Sequence, residues 1–170
     1  EWHKDLFGAS KNIPTALKND SNPNAHSTDT ATRATAKYKF GQSTTVEGNF
    51  AVMKYSETGG AAGKFSDYKH HSWSIGAEHK INAVTLAASY GQASAGSCSI
   101  VGGAACNTSG LDGKMFNVGA GYYFSKRTLL YAVYSLMSNG HSAVYNNLND
   151  GKPATGQDIN TLALGISHSF

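Results

Sequence analysis

The groups in this chain that could do chemistry are thinly spread. Cys98 and Cys106 stand in SCSIVGGAACNTSG, a stretch rich in Gly, Ser and Ala. A metal site would need further ligands close by, and none of the seven histidines is adjacent in sequence. A disulfide inside an exposed loop is the better expectation, and it implies an oxidising compartment. The segment GGAAGK at 59–64 has the glycines of a phosphate loop but lacks its Lys-Ser/Thr ending and its strand-to-helix setting. In NNLNDGK at 146–152, Leu148 stands where a calcium loop needs an oxygen ligand, so a polar surface turn explains it better. His70 and His71 are neighbours, and on a strand they point to opposite faces, which prevents them from chelating one metal together. They are expected at a loop edge. No set of acid, base and nucleophile emerges, so no catalytic residue, metal or cofactor is expected and the protein is not read as an enzyme.

The elements that carry these groups are strands. Period-two alternation recurs along the chain. Arg33, Thr35, Lys37 and Lys39 alternate with Ala34, Ala36, Tyr38 and Phe40, and Glu47 and Asn49 alternate with Val46, Gly48 and Phe50. Glu78 and Lys80 oppose Trp73, Ile75, Ala77 and Ile81, and Asn117, Gly119 and Gly121 oppose Phe116, Val118, Ala120 and Tyr122. At the end of the chain, Leu162, Leu164, Ile166, His168 and Phe170 alternate with Ala163, Gly165, Ser167 and Ser169. Strands are expected near 32–40, 44–56, 70–81, 84–95, 114–125, 128–139 and 157–170. EWHKDLF at the start is a candidate for part of an eighth. TLLYAVYSLMS at 128–138 is apolar on both faces, so its orientation stays open.

Connections of two lengths alternate. Tight turns are expected at 41–43, 82–83 and 125–127, and long Gly-, Ser-, Asn- and Asp-rich segments at about 8–31, 57–69, 96–113 and 140–156. In an up-and-down meander, alternate connections lie at opposite ends, so one rim is trimmed and the other decorated. Short turns on one rim with long loops on the other, and strands long enough for a tilted crossing, fit a transmembrane β-barrel. Aromatic residues near strand ends (Tyr38, Phe40, Trp73, Tyr122, Phe124, Phe170) suit interfacial girdles. Charged residues make up only 15% of the chain, below the ~25% usual for soluble domains. The net charge of +3 is too mild and too evenly spread to argue for nucleic acid. No apolar run approaches the ~18 residues of a transmembrane helix. The start is not a Met-led, basic-then-apolar leader, so the chain is expected to be processed or a fragment. A soluble all-β sandwich or ligand-binding barrel with aromatics in its core competes with the membrane reading.

The stretch GYYFSKRTLLYAVYSLMSNG and the ending NTLALGISHSF resemble the end of Gram-negative general porins of the betaproteobacterial and neisserial type. That family carries an aromatic-Ser-Lys-Arg-Thr turn before its penultimate strand and ends Gly-hydrophobic-x-His-x-Phe, matched here by Gly165, Ile166, Ser167, His168, Ser169 and Phe170. The position before His is often basic in the family, and here it is Ser167. The resemblance implies an all-β fold, a transmembrane antiparallel up-and-down β-barrel segment of about seven or eight strands from a barrel of about sixteen. The chain would be the C-terminal half, with the N-terminal half and its pore-narrowing loop missing. It further implies location in the outer membrane of a Gram-negative cell, contact with outer-membrane lipid, homotrimeric assembly, and insertion by the barrel-insertion machinery, which reads Phe170 as an assembly signal.

If the apolar set faces lipid, the lumen receives Arg33, Lys37, Lys39, Glu47, Glu78 and Lys80 as pore-lining residues. Their four positive charges against two negative would favour anions. The expected function is a passive diffusion channel for small hydrophilic solutes or ions. The alternative is a closed eight-stranded membrane barrel with a structural or adhesive role and no conduction.

Overall fold

The computed structural model describes residues 2–4, 22–146 and 153–170. Among these every regular element is a strand. Ten form in chain order: β1 (Trp2–Lys4), β2 (His26–Phe40), β3 (Thr44–Thr58), β4 (Phe65–Ile81), β5 (Val84–Ala93), β6 (Ser97–Ile100), β7 (Ala105–Cys106), β8 (Gly113–Ser125), β9 (Thr128–Asn139) and β10 (Ile159–His168). No described helix is long and apolar enough to cross a membrane, which says nothing about crossing by strands.

The strands make one antiparallel meander in the order β1-β2-β3-β4-β5-β8-β9-β10. The short β6–β7 hairpin stands off this path, paired to the upper part of β4. Local chemistry sets the tight rim. Gly41 (φ 57°) and Asn82 (φ 52°) supply the left-handed conformation that two of its turns need, at residue types that tolerate it. At the third, the Ser125 hydroxyl accepts a hydrogen bond from the Arg127 backbone N–H at 3.1 Å.

Register then sorts every side chain to one of two faces. The pairs Lys37↔Glu47, Glu47↔Gly76, Gly76↔Ser89, Ser89↔Asn117, Asn117↔Ser135 and Ser135↔Thr161 put one continuous polar or small row across the sheet. One residue further along, Val46, Ala77, Ala88, Val118, Tyr134 and Leu162 make an apolar row on the opposite face. β9, whose sequence left its orientation open, is settled by this register. Leu130, Ala132 and Tyr134 go to the apolar face, and Tyr131, Val133 and Ser135 to the other.

Among the described residues nothing packs on the apolar face. Leu162, Leu164 and Ile166 are 68%, 73% and 68% exposed, and Phe50, Trp73, Ile75, Leu86, Phe116 and Val118 are exposed with them. The one buried apolar cluster, Phe65, Tyr68, Cys98 and Leu111, lies at the loop end of the sheet. A continuous apolar face of this extent has no place in water. Three edge-to-face aromatic pairs mark the turn end of that face: Tyr38–Phe40 (4.6 Å), Tyr122–Phe124 (4.9 Å) and His168–Phe170 (5.0 Å). The last pair is held in place, because Ser169 N–H donates to Arg127 C=O at 3.0 Å and Thr128 Oγ1 bonds His168 Nδ1 at 2.8 Å.

The strands on the loop side run further than alternation predicts. β2 begins at His26 rather than near 32, and β4 at Phe65 rather than near 70. The expected long connection at 57–69 therefore shrinks to 59–64, and the one at 96–113 contains β6 and β7. The physical reason is that neither end alternates: on β4 Phe65 and Tyr68 stand three apart, and on β2 the residues are polar throughout. In Ser27–Thr30 all four residues are polar, yet Ser27 and Asp29 are buried (7% and 6% exposed), so pairing continues where the hydrophobic signal has stopped. The parts of the expected loops at 8–21 and 147–152, with the turn residue Leu148, lie outside the described residues, as does most of EWHKDLF.

Candidate pore wall

The six charged residues singled out in the sequence fall on one face of three adjacent strands. Arg33, Lys37 and Lys39 come from β2, Glu47 from β3, and Glu78 and Lys80 from β4. Along β4 and β8 the side chains of this face are half-buried where their neighbours on the other face are exposed, and recesses of about 400 and 490 Å³ lie along it. Lys37 Nζ sits 3.8 Å from Glu47, directly across the strand pair, and Lys80 Nζ sits 3.6 Å from Glu78. Thr35 Oγ1 donates to Asn49 Oδ1 (2.7 Å), and Asn49 Nδ2 donates to Glu47 (3.2 Å), which fixes the carboxylate. These are exposed pairs, each worth about 0–1 kcal/mol in stability. Their effect is to cancel charge locally. Among the described residues, Arg33 and Lys39 have no ion pair, so the uncompensated charge of these six residues is cationic and lies on β2.

Much of the same face on β5, β8 and β10 is made of small side chains: Ala87, Ser89 and Gly91 on β5, Gly119 and Gly121 on β8, and Ala163 and Gly165 on β10. Small residues leave room beside the wall. Larger residues share it, Met115 on β8 and Tyr131, Val133 and Met137 on β9, and the Tyr131 ring lies over Gly165, where any Cβ would meet it. Among the described residues, no three His, Cys, Asp or Glu side chains come together in a metal-binding arrangement.

The loop end of this face holds structure that alternation did not reveal. Tyr55, Tyr68 and His70 stack side by side, with ring centroids 5.3–6.3 Å apart, and Tyr68 Oη donates to Ala95 C=O at 3.0 Å. His70 is therefore not a loop-edge histidine. It is 5% exposed, while His71 beside it is exposed on the other face. The two do point apart, as their adjacency on a strand demands.

Cys98 and Cys106 are bonded, and they face each other across β6 and β7 with Cα atoms 5.3 Å apart. The bridge is not displayed in an exposed loop as expected. Cys98 is 8% exposed and packs with Phe65, Tyr68 and Leu111, because the hairpin that carries it adds to β4 and turns that face onto the sheet. Alkylation of unfolded protein without reductant is expected to modify neither cysteine, and prior reduction to expose both. Free thiols in freshly purified protein would contradict the bridge.

A second loop folds back onto the wall. Asn139, at the end of β9, is buried, and its side chain is fully used. Its Nδ2 donates to Tyr145 C=O (3.0 Å) and Gln157 C=O (2.7 Å), and its Oδ1 accepts from Tyr145 N–H (2.7 Å). Gly140 N–H donates to Asp112 C=O, Ser142 N–H to Gly110 C=O, and Gly156 N–H to Ala143 C=O, so residues 140–146 are tied to the connection before β8 and to the far part of their own. Ala143 is completely buried. The Tyr145 ring lies against Gly113, where a Cβ would strike it. Burial, and after it the charges of Tyr55 and Asp112, pushes the Tyr145 phenol up to about 12. The Asn-Gly pair at 139–140 was the signal available in the sequence, but Asn-Gly more often marks a hairpin turn than an inward clasp.

The chain matches the family model for Gram-negative porins over residues 7–142. It belongs to the Gram-negative porin family. Comparison with curated proteins gives no match. Membership makes the protein an outer-membrane channel, and a sheet with one apolar and one polar face is what a barrel wall between lipid and water requires. The family is one of channels, not of enzymes. The matched residues include the Ser-Lys-Arg turn at 125–127 and stop before the Gly165–Phe170 ending.

Proposed function

We propose that this porin is a passive diffusion channel for small hydrophilic solutes or ions that favours anions, and that Arg33, Lys37, Lys39, Glu47, Glu78 and Lys80 line its lumen. The observation that carries the reading is the polar face, whose two ion pairs leave Arg33 and Lys39 uncompensated. Fixed cationic side chains along a pore lower the entry cost of anions. Among the described residues β10 pairs with β9 alone and β1 with β2 alone, which supports a segment of a larger barrel resembling the C-terminal half of the neisserial type. Three such barrels form the unit. The test is reconstitution into planar lipid bilayers. Stepwise, ohmic, voltage-independent currents, with a reversal potential on the anion side in a KCl gradient, are the expected result. A membrane-inserted protein that carries no current would instead be the closed, structural or adhesive barrel.

Phe170 serves as the element read by the insertion machinery. Its ring is fully exposed at the turn-side rim, and its one aromatic contact, with His168, is small beside the hydrogen-bonded sheet. Deleting Phe170 is therefore expected to lower outer-membrane yield in cells strongly while leaving refolding in detergent nearly unchanged. Equal yields in cells would remove the recognition role.

A further inference from the structure

The tight rim carries one arrangement twice. β4 ends Gly76-Ala77-Glu78-His79-Lys80-Ile81, and the chain ends Gly165-Ile166-Ser167-His168-Ser169-Phe170. Both read glycine, apolar, polar, histidine, polar, apolar. Both histidines are exposed on the apolar face, and each stands opposite a threonine that is the first residue of the preceding strand. Thr44 Oγ1 bonds His79 Nδ1 at 2.7 Å, and Thr128 Oγ1 bonds His168 Nδ1 at 2.8 Å. One residue on, Lys80 N–H donates to Ser43 C=O at 2.8 Å, and Ser169 N–H to Arg127 C=O at 3.0 Å. Two residues on, Ile81 and Phe170 are both exposed. An aromatic girdle does not by itself require this likeness. β8 reaches the same rim with Gly119, Tyr122 and Phe124 in the corresponding places, and Tyr123 N–H donates to Ala83 C=O at 2.8 Å, so the backbone bond belongs to the rim in general. Tyr122, however, stands opposite Val84, whose side chain offers no hydrogen bond. β2 has Thr35, Tyr38 and Phe40 in these places. Among the described strands, β4 and β10 alone combine the glycine with the Thr–His pair.

We infer that Gly76–Ile81 is a second element read by the barrel-insertion machinery, of the same kind as Gly165–Phe170. The inference rests on the reading of Phe170 given above and adds an internal site to it. A partner that takes up a chain as an added strand draws affinity from main-chain hydrogen bonds and specificity from alternate side chains. One segment offers Ala77, His79 and Ile81 as its alternate set, and the other offers Ile166, His168 and Phe170 at the same spacing. Ile81 is smaller than Phe170, so the internal element is the weaker of the two. β4 and β10 bound a block of five neighbouring strands, β4-β5-β8-β9-β10. Two elements on one chain bind with an avidity that neither has alone, and here they would bring both edges of that block to the machinery together.

The full-length protein carrying both His79→Ala and Ile81→Ala decides the matter, with Tyr122→Ala and Phe124→Ala together as the control at the same rim. The first variant is expected to lose folded outer-membrane yield several-fold in cells while refolding in detergent as the parent does. The control is expected to show no loss confined to cells. A synthetic peptide of residues 72–81, added to isolated outer membranes that hold the machinery, should slow insertion of the parent chain, and a scrambled form should not. A peptide of residues 161–170 should do the same at lower concentration. Unchanged yield in cells, a loss matched by the control, or a loss equally large in detergent overturns the internal element. So does a 72–81 peptide that acts no better than its scrambled form. In each of these cases competition by the 161–170 peptide leaves the Phe170 reading standing. If neither peptide competes and deleting Phe170 is harmless in cells, both readings fall.

Discussion

Replacing Leu164 with arginine is expected to reduce folding into lipid by about thirty- to a thousandfold, while the same replacement at Ala163 is nearly neutral. The two residues are neighbours on β10 and differ only in the face they occupy. Leu164 is 73% exposed, midway between Leu162 and Ile166 and opposite Ala132, with no protein over it. An arginine near the midplane of a membrane barrel's lipid face costs about 2–4 kcal/mol, falling to ~0–1 near the interfaces. Ala163 pairs with Val133 on the polar face, where a guanidinium would stay hydrated. Refolding titrations into lipid vesicles, read by the electrophoretic shift between folded and unfolded barrel, give the two free energies. Equal losses at both positions would mean that the apolar face is not the lipid face, and the pore-wall assignment would fall with it.

Reversing the charge of Arg33 and Lys39 together is expected to turn an anion-favouring channel into a cation-favouring one. A unit charge about 4 Å from a passing ion in water contributes about 1 kcal/mol, or roughly a fivefold change in local ion occupancy. Exchanging the members of the Lys37–Glu47 pair should do much less, because the pair lies within 3.8 Å and its sum is unchanged. The reversal potential in a KCl gradient near 0.1 M checks both variants. Near 1 M the difference should shrink, since the screening length falls from about 10 Å to about 3 Å. An unchanged reversal potential in the Arg33→Glu, Lys39→Glu protein would show that ion preference is set elsewhere in the channel.

Two-sidedness was legible because it is a local property. In a strand, Leu164 and Gly165 must point to opposite faces whatever the rest of the chain does, so alternation alone sorts the side chains of β2, β3, β4, β8 and β10 into an apolar and a polar set. The tight rim was legible for the same reason, since Gly41 and Asn82 write their turn conformations into neighbouring residues. A three-residue turn at 41–43 even implies that Lys37 meets Glu47. The sequence by itself therefore determined the fold class, the two faces and which of them carries the six charges.

Tertiary structure decided the rest. β9 is apolar on both sides, and only pairing with β8 and β10 turned Tyr131 inward over Gly165 and Tyr134 outward. The upper end of β2 carries polar residues on both faces, and on β4 Phe65 and Tyr68 stand three apart across a register shift, so neither end had a period-two signature. His70 looked like a surface residue until Tyr55 from β3 and Tyr68 from β4 closed around it. The clasp at Asn139 depends on carbonyls from Tyr145 and Gln157, of which the second lies 18 residues along the chain. Alternation records which way a side chain points. It does not record what comes to meet it, because that contact exists only once distant loops have been brought to the same rim.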